Sequence, residues 1–103
     1  MAFTGSEDHS ISLQEASQLT ANYRSQAGDG AVLASFFGKQ TIQKILDQED
    51  CVGIRIYYGL ENSTPVLVLV GAKANEDDII SGELAQTGVQ CPPVCGSAND
   101  LNS

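Results

Sequence analysis

The sequence predicts a single α+β domain, with N-terminal helices packed on a small antiparallel sheet centred on a β-hairpin at residues 51–73. Three observations carry that expectation. Residues 51–74, CVGIRIYYGLENSTPVLVLVGAKA, alternate as two strands around a polar interruption. Ahead of them, apolar residues recur at intervals of three and four, as on the buried face of a helix. At 103 residues and 42% hydrophobic content, the chain supports one modest core and no second domain.

Residues 1–10 are polar and aperiodic, and are expected to form a flexible lead-in to a domain spanning residues 11–103. Ser12 and Glu15 have the spacing of a capping box, and Ile11 is placed to staple against Ala16. Ala16, Leu19, Tyr23 and Ala27 then mark one face of a helix over about residues 13–27, which Gly28, Asp29 and Gly30 end. In AVLASFF, residues 31–37, the pairs Val32–Leu33 and Phe36–Phe37 are four apart, which predicts a short helix. After Gly38, Ile42, Ile45 and Leu46 oppose Lys39, Gln40, Gln43 and Lys44, predicting an amphipathic helix over about residues 39–48 that faces the sheet. Glu49 and Asp50 turn the chain into the first strand.

Within the hairpin, Val52, Ile54, Ile56 and Tyr58 share one face of the first strand, and Cys51, Gly53, Arg55 and Tyr57 the other. Tyr58 is expected in the core. The second strand is apolar on both faces, with Val66, Val68, Val70 and Ala72 on one and Leu67 and Leu69 on the other. Pro65 is tolerable at its start, where only an outermost donor is lost. Residues 75–78 read as a polar turn. They lack the alternating oxygen ligands, central glycine and closing glutamate of a calcium loop. Residues 82–90 allow one last short strand broken by Gly88, and no convincing third strand joins the hairpin. The tail CPPVCGSANDLNS is expected to be irregular, because its prolines remove donors and fix backbone angles.

Thirteen acidic residues against five basic ones give a net charge of -8, a field that repels phosphate backbones and anionic membranes. Nucleic acid is therefore not an expected partner. The longest apolar run, residues 66–70, falls far short of the roughly 20 residues of a membrane span. The N-terminus lacks the basic start and apolar centre of a secretory signal, so a soluble, cytoplasmic protein is expected.

The order of motifs adds a resemblance: Ala16 with the Tyr23–Arg24 pair, KILDQ at residues 44–48, the strands CVGIRIYYG and PVLVLVGA, and the closing CPPVCGSAN. Taken together they resemble a family of small uncharacterised bacterial proteins of the Bacteroidota type that end in a similar Cys-Pro-Pro-x-Cys-Gly tail. The resemblance covers nearly the whole chain beyond about residue 9. It implies an independent domain and brings no activity, cofactor or catalytic residue with it.

Chemistry-bearing residues are few. Cys91 and Cys95 are separated by three intervening residues, while Cys51 and the single His9 are distant, so a four-ligand zinc site would need one loose pair and two singles in place of two tight pairs. The same spacing departs from the two-residue spacing of disulfide-exchange sites, and structural cysteine or a simple Cys91–Cys95 disulfide accounts for the pattern as well. Arg55, between two isoleucines and on the face of Tyr57, suits either a bound carboxylate or phosphate or an internal acidic partner. A nucleophilic enzyme would need a base beside its serine or cysteine, and the one histidine lies in the lead-in.

These residues predict a non-catalytic interaction or assembly protein without a cofactor, binding a protein partner or a second copy of itself through Arg55, Tyr57, Leu67 and Leu69. A metal-binding or redox module using Cys51, Cys91, Cys95 and His9 is the first alternative. A small-molecule enzyme using Arg55 and carboxylates is the second.

Overall fold

A computed structural model of the chain describes residues 2–86 and 88–102. The order of elements is α1 (Leu13–Ala27), β1 (Ala34–Phe36), α2 (Lys39–Leu46), β2 (Cys51–Glu61), β3 (Thr64–Lys73), β4 (Leu84–Gln86) and β5 (Val89–Cys91). This is the expected α+β class, with an antiparallel β2–β3 hairpin at its centre.

Helix α1 opens with the predicted capping box: Ser12 Oγ accepts from the Glu15 amide, and the Glu15 side chain accepts from the Ser12 amide. Its face lies beside the segment leading into β1 and beside the tail. The Tyr23 hydroxyl donates to Val32 O at 3.5 Å, and Arg24 Nη1 donates to Leu101 O at 2.6 Å. No α1 residue is buried.

Helix α2 packs on the hairpin through Ile45, which is fully buried, whereas Leu46, expected on the same face, is 40% exposed. Just beyond α2, Gln48 ties the helix to the sheet. Its Nε2 donates to Ile45 O at 2.8 Å, and its Oε1 accepts from the Glu83 amide at 2.7 Å. The approach is close enough that a Cβ on Gly71 or Gly82 would push aside the end of the Gln48 side chain and disturb the two hydrogen bonds it makes.

The hairpin turns through Asn62 and Ser63, both at positive φ (50° and 71°), the signature of a type I′ turn whose twist suits antiparallel strands. β3 carries β4 on its other side, giving a three-stranded sheet in the order β2-β3-β4. A separate two-stranded sheet pairs β1 with β5, so the apolar stretch of residues 82–90 is divided between two sheets and β4 supplies a third strand that the sequence did not make convincing.

Two further expectations are corrected. Residues 31–37 do not form a helix: Ala34–Phe36 is a strand paired with Val89–Cys91. Seven residues between Gly30 and Gly38 barely exceed the nucleus a helix must form before it gains bonds. Pairing with β5 satisfies the same backbone groups at once, extended by a bond from the Leu33 amide to Cys91 O at 2.7 Å. Tyr58 is not in the core but 91% exposed. It alternates onto the face of Ile54 and Ile56 as expected, but an eight-residue helix is about 12 Å long and an eleven-residue strand about 36 Å. The cover therefore runs out before Tyr58.

Candidate functional site

The register separates the four residues expected to form one binding patch. Directly opposed residues share a face, and Arg55 stands opposite Val70 and Tyr57 opposite Val68, whereas Leu69 stands opposite Ile56 and Leu67 opposite Tyr58. Arg55 and Tyr57 thus lie on one side of the sheet and Leu67 and Leu69 on the other. Leu69 is buried and Leu67 half-buried.

On the first side, Arg55 is engaged. Its Nη1 donates to Asp78 Oδ1 at 2.7 Å and to Glu76 O at 3.0 Å, and the Phe3 ring lies 5.3 Å from the guanidinium carbon. The Tyr57 hydroxyl donates to the other oxygen of Asp78 at 2.5 Å. The loop after β3 makes this possible by folding back along that strand: Ala72 forms a bridge with Asp78, and the Ile79 amide donates to Gly71 O at 2.8 Å. Burial pulls the Arg55 pKa down, but the hydrogen bond and charge of Asp78 outweigh it and hold the guanidinium above its ordinary value. The bond to Asp78, with burial, pushes the Tyr57 phenol up, against the opposing effect of Arg55.

The N-terminal residues close this side. The Phe3 amide donates to Ala74 O at 2.8 Å, and Gly5 lies against Val52. Glu7 accepts from the Thr4 and Gly5 amides at 2.8 and 2.9 Å, and those bonds hold its carboxyl below the usual value. Between this segment and the hairpin is an open cleft of about 470 Å³, lined by Phe3, Glu7, His9, Ile54 and Arg55 among others. Its charged groups are already engaged: Arg55 Nη1 donates to Asp78 and to Glu76 O, and Glu7 accepts from backbone amides.

Cys51 and His9 are not brought to the Cys91–Cys95 pair. Cys91 and Cys95 form a disulfide, and Cys51 is a free thiol donating to Gly53 O at 3.2 Å, beside Gly71. His9 lines the cleft by Arg55 instead. Among the described residues, no three histidine, cysteine or acidic side chains are grouped to hold a metal ion.

On the opposite side, the residues that sequence reasoning passed over stand out. Ile56, Tyr58 and Leu60 form a ladder along β2 that is 53%, 91% and 76% exposed. Strand alternation made the ladder visible, and only the missing cover made it a surface. A second apolar groove, about 660 Å³, runs between α1, the β1–β5 sheet and the tail, past Leu33, Phe36, Val89, Val94 and Leu101.

Fold and surface together define a small α+β domain whose most prominent exposed feature is an apolar strand. No protein-family model, curated protein or solved structure matches the chain. Among the described residues, no helix is long and apolar enough to cross a membrane.

Proposed function

We propose that this chain is a non-catalytic interaction or assembly module that works by covering its exposed apolar surface with protein. The carrying observation is a mismatch of areas. A folded monomer of 10.9 kDa exposes about 5,600 Å² by the usual scaling, and this chain exposes 7509 Å². Its radius of gyration, 15.3 Å, likewise exceeds the roughly 13 Å of a typical domain of this length. Many large apolar side chains are exposed, Ile56, Tyr58 and Leu60 in a row along β2 among them, and an exposed apolar row of this kind commonly marks an interface.

The enzyme alternative draws less support, because of the charged groups lining the cleft Arg55 is already paired with Asp78 and Glu7 with backbone amides. A redox role for the tail has one observation in its favour, the Cys91–Cys95 bond. A cytoplasmic location would oppose that role, because cellular thiols hold such bonds open there. Trapping thiols before lysis therefore reads both the compartment and the state of the pair.

The interaction reading is tested by sizing the tagged chain, pure and in an extract of its native cells, beside a Tyr58→Lys, Leu60→Lys variant. Wild type is expected in a larger particle that the variant does not enter. If both run at 10.9 kDa in both settings, the reading fails.

A further inference from the structure

Resting on that interaction reading, we infer that the partner of the apolar ladder is a second copy of this chain, joined β2 to β2 across a twofold axis at Tyr57. The first argument is the edge. β2 is the outermost strand of its sheet, eleven residues long, and among the described residues no backbone bond joins its outer side to another segment. Such an edge is a template for another strand, and proteins that must stay single blunt it with lysine, proline or a bulge. Here the only irregularity is at the Cys51/Gly53 end, and residues 54–60 contain neither lysine nor proline.

The second argument is which groups face outward. In a two-residue hairpin, the closing residues Glu61 and Thr64 exchange both hydrogen bonds. Alternation then turns the backbone groups of Gly59, Tyr57, Arg55 and Gly53 toward β3, and those of Leu60, Tyr58, Ile56 and Ile54 outward. The unpaired backbone groups thus belong to the same residues that build the apolar ladder.

The third argument is self-complementarity. With Tyr57 opposite the partner's Tyr57, Ile56 meets the partner's Tyr58 and Ile54 the partner's Leu60, and the same pairs recur on the other side of the axis. Every outward backbone group from Ile54 to Leu60 finds a partner, and apolar meets apolar throughout. Charge allows it. The chain carries thirteen acidic residues, yet none lies between residues 51 and 60, and the register sets Glu61 against the partner's Gly53. Nor do Arg55 and Tyr57 obstruct the edge. Ala72 has Gly53 on one side and Asp78 on the other, so both side chains, in reaching Asp78, lean across β3 and away from the free edge.

The product is a continuous six-stranded sheet with the order β4-β3-β2-β2-β3-β4.

Light scattering on the purified chain is the first measurement, with twice 10.9 kDa expected for wild type. Tyr58→Lys with Leu60→Lys is expected to return the mass to a single chain with its circular dichroism unchanged, since both side chains are exposed in the single chain. Register is read by cross-linking in a Cys51→Ser background. Tyr57→Cys brings two thiols to about 4.5 Å between Cα atoms, within disulfide reach, so a copper oxidant should link it into dimers. Leu60→Cys, six residues out of register with its own copy, should remain unlinked. A wild type that is monomeric at every concentration overturns the inference, as does a dimer that the double lysine variant leaves intact or a Leu60→Cys chain that links while Tyr57→Cys does not. A monomer that enters a larger particle only in cell extract, and only with Tyr58 and Leu60 present, overturns the second copy as partner while leaving the interaction reading in place.

Discussion

Ile45→Ala should be among the most damaging single truncations in this chain, and the structure sets its size. Among the described residues, Ile45 is the one large side chain that is completely buried, held between α2 and the hairpin. Replacing it removes three carbons, about 2.4 kcal/mol at roughly 0.8 kcal/mol for each buried methylene. The cavity left behind brings the total to about 3–4 kcal/mol, inside the range of such core deletions. Against a total stability of about 5–15 kcal/mol that is a large fraction. At about 4–8 °C per kcal/mol for a domain of this size, it lowers Tm by at least about 12 °C. Leu46→Ala, one residue on and 40% exposed, is expected to cost less than about 1.5 kcal/mol. Urea unfolding of both variants, followed by circular dichroism at one protein concentration, makes the comparison. An Ile45→Ala loss below about 1 kcal/mol, or one matched by Leu46→Ala, would show that α2 does not hold the hairpin through this side chain.

Three other outcomes are expected. Ser12→Ala removes the acceptor for the Glu15 amide and should cost α1 about 1 kcal/mol; because α1 buries no residue, the change should appear as faster amide exchange in its first turn and not as a large fall in Tm. Asp78→Asn should bring the Tyr57 phenol down toward its ordinary pKa of 10.0, seen by ultraviolet titration of the three tyrosines. Because the folded-state value is raised, the stability this proton contributes in wild type is fully present below pH 10 and is lost as pH climbs through the folded value, so the gap between the two proteins should narrow in alkali without closing, since Asp78 also holds Arg55. Glu7 has the opposite sign: its carboxyl is held low by the Thr4 and Gly5 amides, so the contribution is present above pH 4.5 and lost as pH falls through the lower folded value. Protection of those two amides, measured against their intrinsic exchange rates, should fall in acid for wild type and be low at all pH values for Glu7→Gln.

What could be read in advance follows from how local each signal is. The α1 cap, the Ile45 stripe and the hairpin all rest on residues within a few positions of one another, and each was legible from side-chain type and spacing. β1 was not, because its partner Val89–Cys91 lies more than fifty residues away and the local pattern of Phe36 and Phe37 mimics a helix turn. The binding candidates divided in the same way. Arg55 and Tyr57 were correctly placed on one face by strand period, but grouping them with Leu67 and Leu69 required the register across the turn, which the period within either strand does not contain. The Asp78 partner of Arg55 was hidden for a related reason, since it arrives by a loop that folds back along β3.

The distance between β1 and β5 along the chain also bears on how the molecule assembles and opens. The hairpin joins residues brought together by a two-residue turn, a closure of microseconds at most, whereas Ala34 meets Cys91 only after the whole intervening chain, hairpin included, has been looped out. The two sheets therefore differ in kinetic rank. The hairpin is the part able to form early and alone, and the three-residue β1–β5 pairing, with no buried helix behind it, is the last to close and the first to let go. During each such opening the ladder of Ile56, Tyr58 and Leu60 remains intact on a strand that has not moved, so the far sheet can breathe without disturbing that surface.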